Sequence, residues 1–313
     1  MAIPTDFFPN PGLSTPSFAP RGQLLENEPL AGYTSWRVGG PARRLYRPRD
    51  AADLAAFLAH LPPTEPLLWL GLGSNVLVRD GGFPGTVLVL HGGVSGLDRV
   101  DGGLWVEAGV PWAKVARTAG RFDLAGAEFL VGIPGTVGGA LAMNAGAWGG
   151  EIWPLVAWVE TLDRRGRRRR RTPDQFAIGY RQVIGPPGEW FVGARLALGS
   201  GCGAASRARM RELLLQRAAT QPTGVKSCGS VFKNPPGDHA ARLIDQAHLK
   251  GLRLGGALVS PRHANFILND AHASAADLEA LMHRVAAAVE RRSGVALVPE
   301  VRIVGRPTHE GAG

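Results

Sequence analysis

The sequence predicts an α+β fold in three unequal pieces, and three features carry that expectation. From Tyr33 onward, short apolar strands alternate with amphipathic helices. The 43 glycines gather in clusters, which marks turns where backbone approaches a ligand or other backbone. Over roughly the last third of the chain two helices with capping residues are set among strand-like segments. At 313 residues the chain exceeds most single cores, so more than one domain is expected.

Residues 1–23 are rich in Pro, Ser and Gly without a period and are expected to be a disordered extension. The remaining pieces are expected at 24–92, 93–205 and 206–313. In the first, Asp50 is positioned to cap a helix with Leu54, Phe57, Leu58 and Leu61 on one face, stopped by Pro62 and Pro63. Short buried strands follow at 67–70 and 87–90. In the second, 104–108 alternates as a strand, and Pro111 opens a helix ending near Gly120. Segments 158–162 and 167–171 read as a hairpin turning at Arg165-Gly166, and 189–198 as another strand. A helix over 207–219 links to the third piece. There Asp238 is expected to cap a helix through Ala247, and Ser274 with Asp277 forms a capping box for a long helix that Gly294 ends. Strands are expected at 257–260, 266–269 and 295–304.

Several motifs carry candidate chemistry. Gly71-Leu72-Gly73-Ser74-Asn75 follows a strand and offers open backbone plus hydroxyl and amide groups for a pyrophosphate; the alternative is a tight turn. Val76 stands where a dinucleotide fingerprint needs its third glycine. Gly132-Ile133-Pro134-Gly135-Thr136-Val137-Gly138-Gly139 is denser, with backbone N–H groups able to line an anion; the alternative is close packing of a helix on a sheet. Asn144 and Gly146 continue the small-residue theme. The segment 227–235 is a polar loop containing Cys228, Ser230, Lys233 and Asn234, with Lys226 just before it. Strand alternation would put Glu300 and Arg302 on a solvated face opposite Val301 and Ile303. Arg181 is suited to clamping a carboxylate or to lying on the surface.

The formal charge of +9 has much of its excess at 164–171. As a strand, the five arginines 167–171 would alternate between faces, which suits a solvated hairpin better than a nucleic-acid site. No aromatic residue interrupts the run to stack on bases. The two cysteines, Cys202 and Cys228, are too few for a disulfide framework, and no metal-ligand spacing surrounds them. The first residues lack a basic region followed by an apolar run, and no stretch is long and apolar enough for a membrane span. A cytoplasmic location is the expectation from these absences, and separately the chain is expected to be a monomer.

Taken in order, Tyr33-Thr34 with Val38-Gly39-Gly40, the two glycine loops, Asn144-Ala145-Gly146, Tyr180-Arg181, Gly229-Ser230-Val231-Phe232-Lys233-Asn234-Pro235 and Pro299-Glu300-Val301-Arg302 resemble the UDP-N-acetylenolpyruvoylglucosamine reductases over residues 24–305. The resemblance implies a two-subdomain FAD-binding fold of the vanillyl-alcohol oxidase type, followed by a substrate-binding α+β domain. It implies noncovalent FAD, NADPH as reductant and a UDP-sugar enolpyruvyl ether as substrate. His263-Ala264-Asn265 and the short connection after Pro235 look like the family's type II branch. By the same resemblance Ser230 is the proton donor, Arg181 and Glu300 are its catalytic companions, and Lys226, Asn234 and Gln221 are substrate contacts. The cofactor would lie on Gly71, Gly73, Ser74, Asn75, Gly132, Ile133, Pro134, Gly135, Thr136, Gly138, Gly139, Asn144 and Gly146. The family often carries a serine two residues after the arginine, where this chain has Val183. An FAD-linked oxidase on the same fold is the alternative activity.

Overall fold

The computed structural model describes residues 20–308. Most of the expected extension therefore lies outside the described residues. Its last few residues are tied down: the Arg21 N–H donates to Asp53 Oδ1 at 3.0 Å, and the strand Gln23–Pro29 pairs antiparallel with Pro41–Arg47. These two join Phe83–Val89 and Leu67–Leu70, the last three parallel, in a four-stranded sheet. Helix α1, Ala51–His60, begins as expected, with the Asp50 carboxylate accepting the Asp53 N–H at 2.8 Å. It buries Leu54, Phe57 and Leu58 against Leu88, Leu90 and Val94.

The second piece is a five-stranded antiparallel sheet in the order Arg168–Arg171, Val156–Asp163, Glu189–Ala197, Gly103–Glu107, Leu97–Val100. Helices α2 (Trp112–Arg121), α3 (Val137–Met143) and α4 (Gly203–Thr220) cover one face and share a core of Trp112, Val115, Leu141, Met210 and Leu213. Helix α4 starts four residues earlier than the apolar pattern suggested, because Asp123 reaches across to accept the Gly203 N–H at 2.7 Å.

The third piece packs α5 (Ala240–Gln246) and α6 (Ala275–Ser293) on a small antiparallel sheet of Arg253–Leu254, Ala257–Val259 and Ile267–Asn269. The Ser274–Asp277 capping box and the left-handed Gly294 (φ +71°) bound α6 as expected. Two expectations need correction. Asp238 does not cap α5; its carboxylate pairs with Arg242, and Asn234 Oδ1 accepts the first helical N–H, that of Ala240, at 3.1 Å. The expected strand over 295–304 is confined to Arg302–Val304. Pro299 has no N–H to donate, and its stretch is held instead by single bonds to the loop at 231–233: Lys233 N–H to the Val298 carbonyl and Glu300 N–H to the Val231 carbonyl.

The first and third pieces are interlocked. Arg302–Val304 pairs in parallel with Val76–Val78. Trp36 is fully buried among third-piece residues and donates its indole N–H to the Ile267 carbonyl at 2.7 Å. Asp80 accepts the Ala275 and Ala276 N–H groups at 2.9 Å, adding a carboxylate to the positive end of α6. Arg79 pairs bidentately with Glu279.

The arginine run is neutralised where it lies. Arg168 pairs with Glu160, and Arg170 lies over the Trp158 ring at 4.1 Å. On the other face Arg169 and Arg171 both pair with Glu189. Arg167 pairs with Asp163. With its charges engaged on two faces, the strand offers no continuous basic stripe for a nucleic-acid backbone. No helix among the described residues is long and apolar enough to cross a membrane.

Candidate active site

A cavity of about 1000 Å³ lies between the pieces, at the upper end of the usual size range of small-molecule sites. Both glycine loops, the hairpin turn at Tyr180-Arg181, the 228–234 loop and Glu300 line it.

The two glycine loops meet directly. A Cβ at Gly71 would stand 2.1 Å from Thr136 Oγ1, and Ser74 Oγ donates to the Pro134 carbonyl at 3.3 Å. Packing also explains Gly132, where a Cβ would strike the Trp148 ring, and Gly138, where it would press on Ala108. Gly73 (φ +61°) and Gly135 (φ +113°) hold left-handed turns that favour glycine, and a Cβ at Gly73 would also strike the Tyr33 carbonyl. Gly139 differs: it lines the cavity, and no protein atom would meet a Cβ there within 4 Å. Packing thus accounts for Gly71, Gly132 and Gly138 and backbone conformation for Gly73 and Gly135, and the open backbone at Gly139 is the part that fits a bound cofactor. Ile133, Pro134, Thr136 and Gly146 are also on the wall. Asn144 is not: it is buried behind it, with its side chain turned to Glu151 and the Gly179 carbonyl.

Asn75 also lines the cavity, and its side chain is engaged there. Its side-chain amide donates to the Glu300 main-chain carbonyl at 3.1 Å, and the Asn75 main-chain carbonyl accepts the Arg302 N–H. It therefore fixes the loop that carries Glu300. Ser230, on the opposite strand of chain, is held by its neighbours. The Val231 N–H donates to the Asn265 carbonyl, and the Asn265 side chain closes two bonds on Phe232 at 3.0 and 2.8 Å. Ser230 lines the cavity, and its own hydroxyl has no hydrogen-bond partner among the described residues.

Arg181 occupies the turn of the hairpin Ala177–Gly179/Gln182–Ile184 with φ +52°. Its Nη1 and Nη2 donate to the carbonyls of Asn144 and Gly146 at 3.1 and 2.8 Å. Its Nε lies 3.2 Å from Glu300 Oε1, an ion-pair distance, yet the N–H is not aimed for a hydrogen bond. Val183, where the family often has serine, packs against the second core and takes no part in holding the guanidinium. Burial is the largest influence on Glu300 and raises its pKa above the usual carboxylate range; Arg181 and Lys233 pull the other way and do not cancel it.

That raised pKa has a sign that stability measurements detect. The folded chain holds the Glu300 proton more tightly than the unfolded one, so stability from this group is present at low pH and lost as pH rises from about 4 through the folded value. Glu300→Gln is therefore expected to melt with the native chain near pH 4 and above it at pH 8. Paired thermal melts at the two pH values check this, and a variant less stable than native at pH 8 would contradict the burial argument.

Of the proposed substrate contacts, Gln221 and Asn234 line the cavity, whereas Lys226 is exposed and lies off the wall. Gln221 accepts from Arg217 Nε at 3.2 Å. Arg217, which also donates to the Gly132 carbonyl, is half-buried on the wall and was not legible as a site residue in the sequence. Lys233 is the cavity lysine in place of Lys226, and its charge reaches Glu300. Cys228 is buried, with its thiol pKa pushed up by burial and by Glu300, so it is poorly suited to act as a nucleophile.

Comparison with known proteins agrees with this geometry. Residues 42–171 match the model of an FAD binding domain, and residues 221–304 match the C-terminal domain of UDP-N-acetylenolpyruvoylglucosamine reductase. The enzyme of that name from Alkalilimnicola ehrlichii is 61% identical over 285 residues, 91% of this chain and 95% of that one. The Methylococcus capsulatus enzyme is 58% identical over 91% and 94% of the two chains. The crystal structure of the Thermus caldophilus enzyme superposes with a TM-score of 0.77 at 36% identity, covering 90% of this chain and 98% of that one. The chain belongs to the UDP-N-acetylenolpyruvoylglucosamine reductase family.

Proposed function

We propose that this chain binds FAD in the cavity and uses NADPH to reduce the enolpyruvyl ether of UDP-N-acetylglucosamine to UDP-N-acetylmuramate, a step in making peptidoglycan precursors. The observation that carries the reading is the meeting, in one cavity with the glycine loops, of an arginine–glutamate pair at 3.2 Å and a serine hydroxyl unpartnered among the described residues. Bound FAD supplies hydride transfer, a capacity that the side chains lack.

The chain's own contribution is electrostatic and acid–base. Reduction at the terminal vinyl carbon leaves negative charge on the carbon beside the substrate carboxylate. Arg181, its guanidinium pinned by two main-chain carbonyls, holds positive charge where that charge develops, with no reorganisation needed. Ser230 donates the proton to the same carbon. Glu300 would repel an ionised intermediate if it were charged; burial shifts it toward its neutral form, which lessens the conflict. Gln221, Asn234, Lys233 and Arg217 form the polar wall available to the sugar nucleotide.

The purified protein is expected to be yellow. Under anaerobic conditions NADPH should bleach it, and the enolpyruvyl substrate should restore the colour. A colourless protein that takes up no flavin from solution would end this reading. Bleaching by an alcohol, with reoxidation by oxygen alone, would favour an oxidase.

A further inference from the structure

The sequence singled out Asn144 for the cofactor, but its side chain points away from the cavity, and its surroundings give it other work. Asn144 is the left-handed residue (φ 47°, ψ 58°) that ends α3, a conformation that asparagine tolerates better than most. The turn it makes leaves two carbonyls, those of Asn144 and Gly146, on Nη1 and Nη2 of Arg181. The Asn144 side chain then reaches the same hairpin from behind: Nδ2 donates to the Gly179 carbonyl at 3.1 Å, two residues before Arg181. The same Nδ2 donates to Glu151 Oε2 at 2.8 Å.

The amide can take only one orientation here. A carbonyl and a carboxylate both accept, so a flipped amide would set oxygen against oxygen on both contacts. Keeping Nδ2 toward them leaves Oδ1 buried without a partner, so the tether to the hairpin is maintained at the expense of an unmet acceptor.

We propose that Asn144 is a positioning residue for Arg181: its main chain grips the guanidinium, its side chain tethers the hairpin that carries it, and Glu151 fixes the orientation of its amide. The proposal rests on the reading above, in which Arg181 serves the reduction of the enolpyruvyl substrate.

Three variants test it. Asn144→Gly keeps the left-handed turn and deletes the side chain, with its bonds to the Gly179 carbonyl and to Glu151. Asn144→Asp keeps the size and places an acceptor against two acceptors. Combining Asn144→Asp with Glu151→Gln restores one donor–acceptor pair. Stopped-flow absorbance should show reduction by NADPH unchanged in all three. Reoxidation by the enolpyruvyl substrate should slow by about 10²-fold in the two single variants, the scale of a misplaced catalytic group. The double variant should recover part of the loss suffered by Asn144→Asp. Independently of turnover, hydrogen exchange at the amides of 178–182 should be faster in Asn144→Gly than in the native chain. Native exchange and native reoxidation in Asn144→Gly, or equal slowing of both half-reactions, would overturn the proposal. If NADPH fails to reduce the native protein, it is the activity reading that fails, and the exchange comparison still decides whether the tether exists.

Discussion

Ser230→Ala is expected to leave reduction by NADPH near the native rate and to slow reoxidation by the enolpyruvyl substrate by about 10²–10⁴-fold, the range lost with a positioned general acid. The separation follows from where the hydroxyl sits. Its oxygen makes no hydrogen bond among the described residues, so alanine removes no structural contact there, and the change in stability should stay within about 0.5 kcal/mol. The main-chain bonds that hold the loop belong to Val231, Phe232 and Lys233 and survive the substitution. Flavin absorbance followed in each half-reaction separately is the measurement. Equal slowing of both steps would remove Ser230 from the role of proton donor, and a large fall in melting temperature would mean that the hydroxyl supports the fold.

What the sequence disclosed and what it hid divide along the range of the interactions. Asp50, the Ser274–Asp277 box and Gly294 act on backbone within a turn of themselves, so their roles were legible and the helices begin and end where expected. The hairpin at 163–166 was legible for the same reason: Gly166 at φ +71° closes it. Asn144 and Asn75 could be marked as candidates from their glycine-rich surroundings, but their partners are remote. Asn75 bonds to Glu300, 225 positions away, and no local pattern carries that information. Strand alternation alone puts Glu300 on a solvated face, because alternation presumes a strand, and only the resemblance marks it as a site residue. Pro299 interrupts that strand, and the chain there follows the 231–233 loop instead. Lys226 and Lys233 were equivalent as charges in the sequence; the packing of the Phe232 side chain and the Asn265 clamp decide which one borders the cavity.

Arg181→Lys is expected to lower substrate-driven reoxidation by about 10²–10³-fold, as when a preorganised electrostatic donor is lost, although charge is conserved. The guanidinium is held by a fork: two nitrogens are spent on the Asn144 and Gly146 carbonyls while Nε faces Glu300 at 3.2 Å. An ammonium has no rigid plane with which to satisfy both carbonyls and still present a fixed charge to the substrate. Comparing this variant with Arg181→Gln separates geometry from charge through Glu300. Burial raises the Glu300 pKa, and Arg181 and Lys233 lower it. Deleting the Arg181 charge should therefore raise it further, keeping the carboxyl neutral to higher pH. Any fall of the reoxidation rate with rising pH that reflects ionisation of Glu300 should move to higher pH in Arg181→Gln and stay nearer its native position in Arg181→Lys. The pH profile of the second half-reaction in the three proteins checks both points. Native-like rates in Arg181→Lys would mean that charge alone suffices and the fork is incidental. A limb at the same pH in all three would show that the 3.2 Å approach to Glu300 does not govern the protonation that the reaction senses.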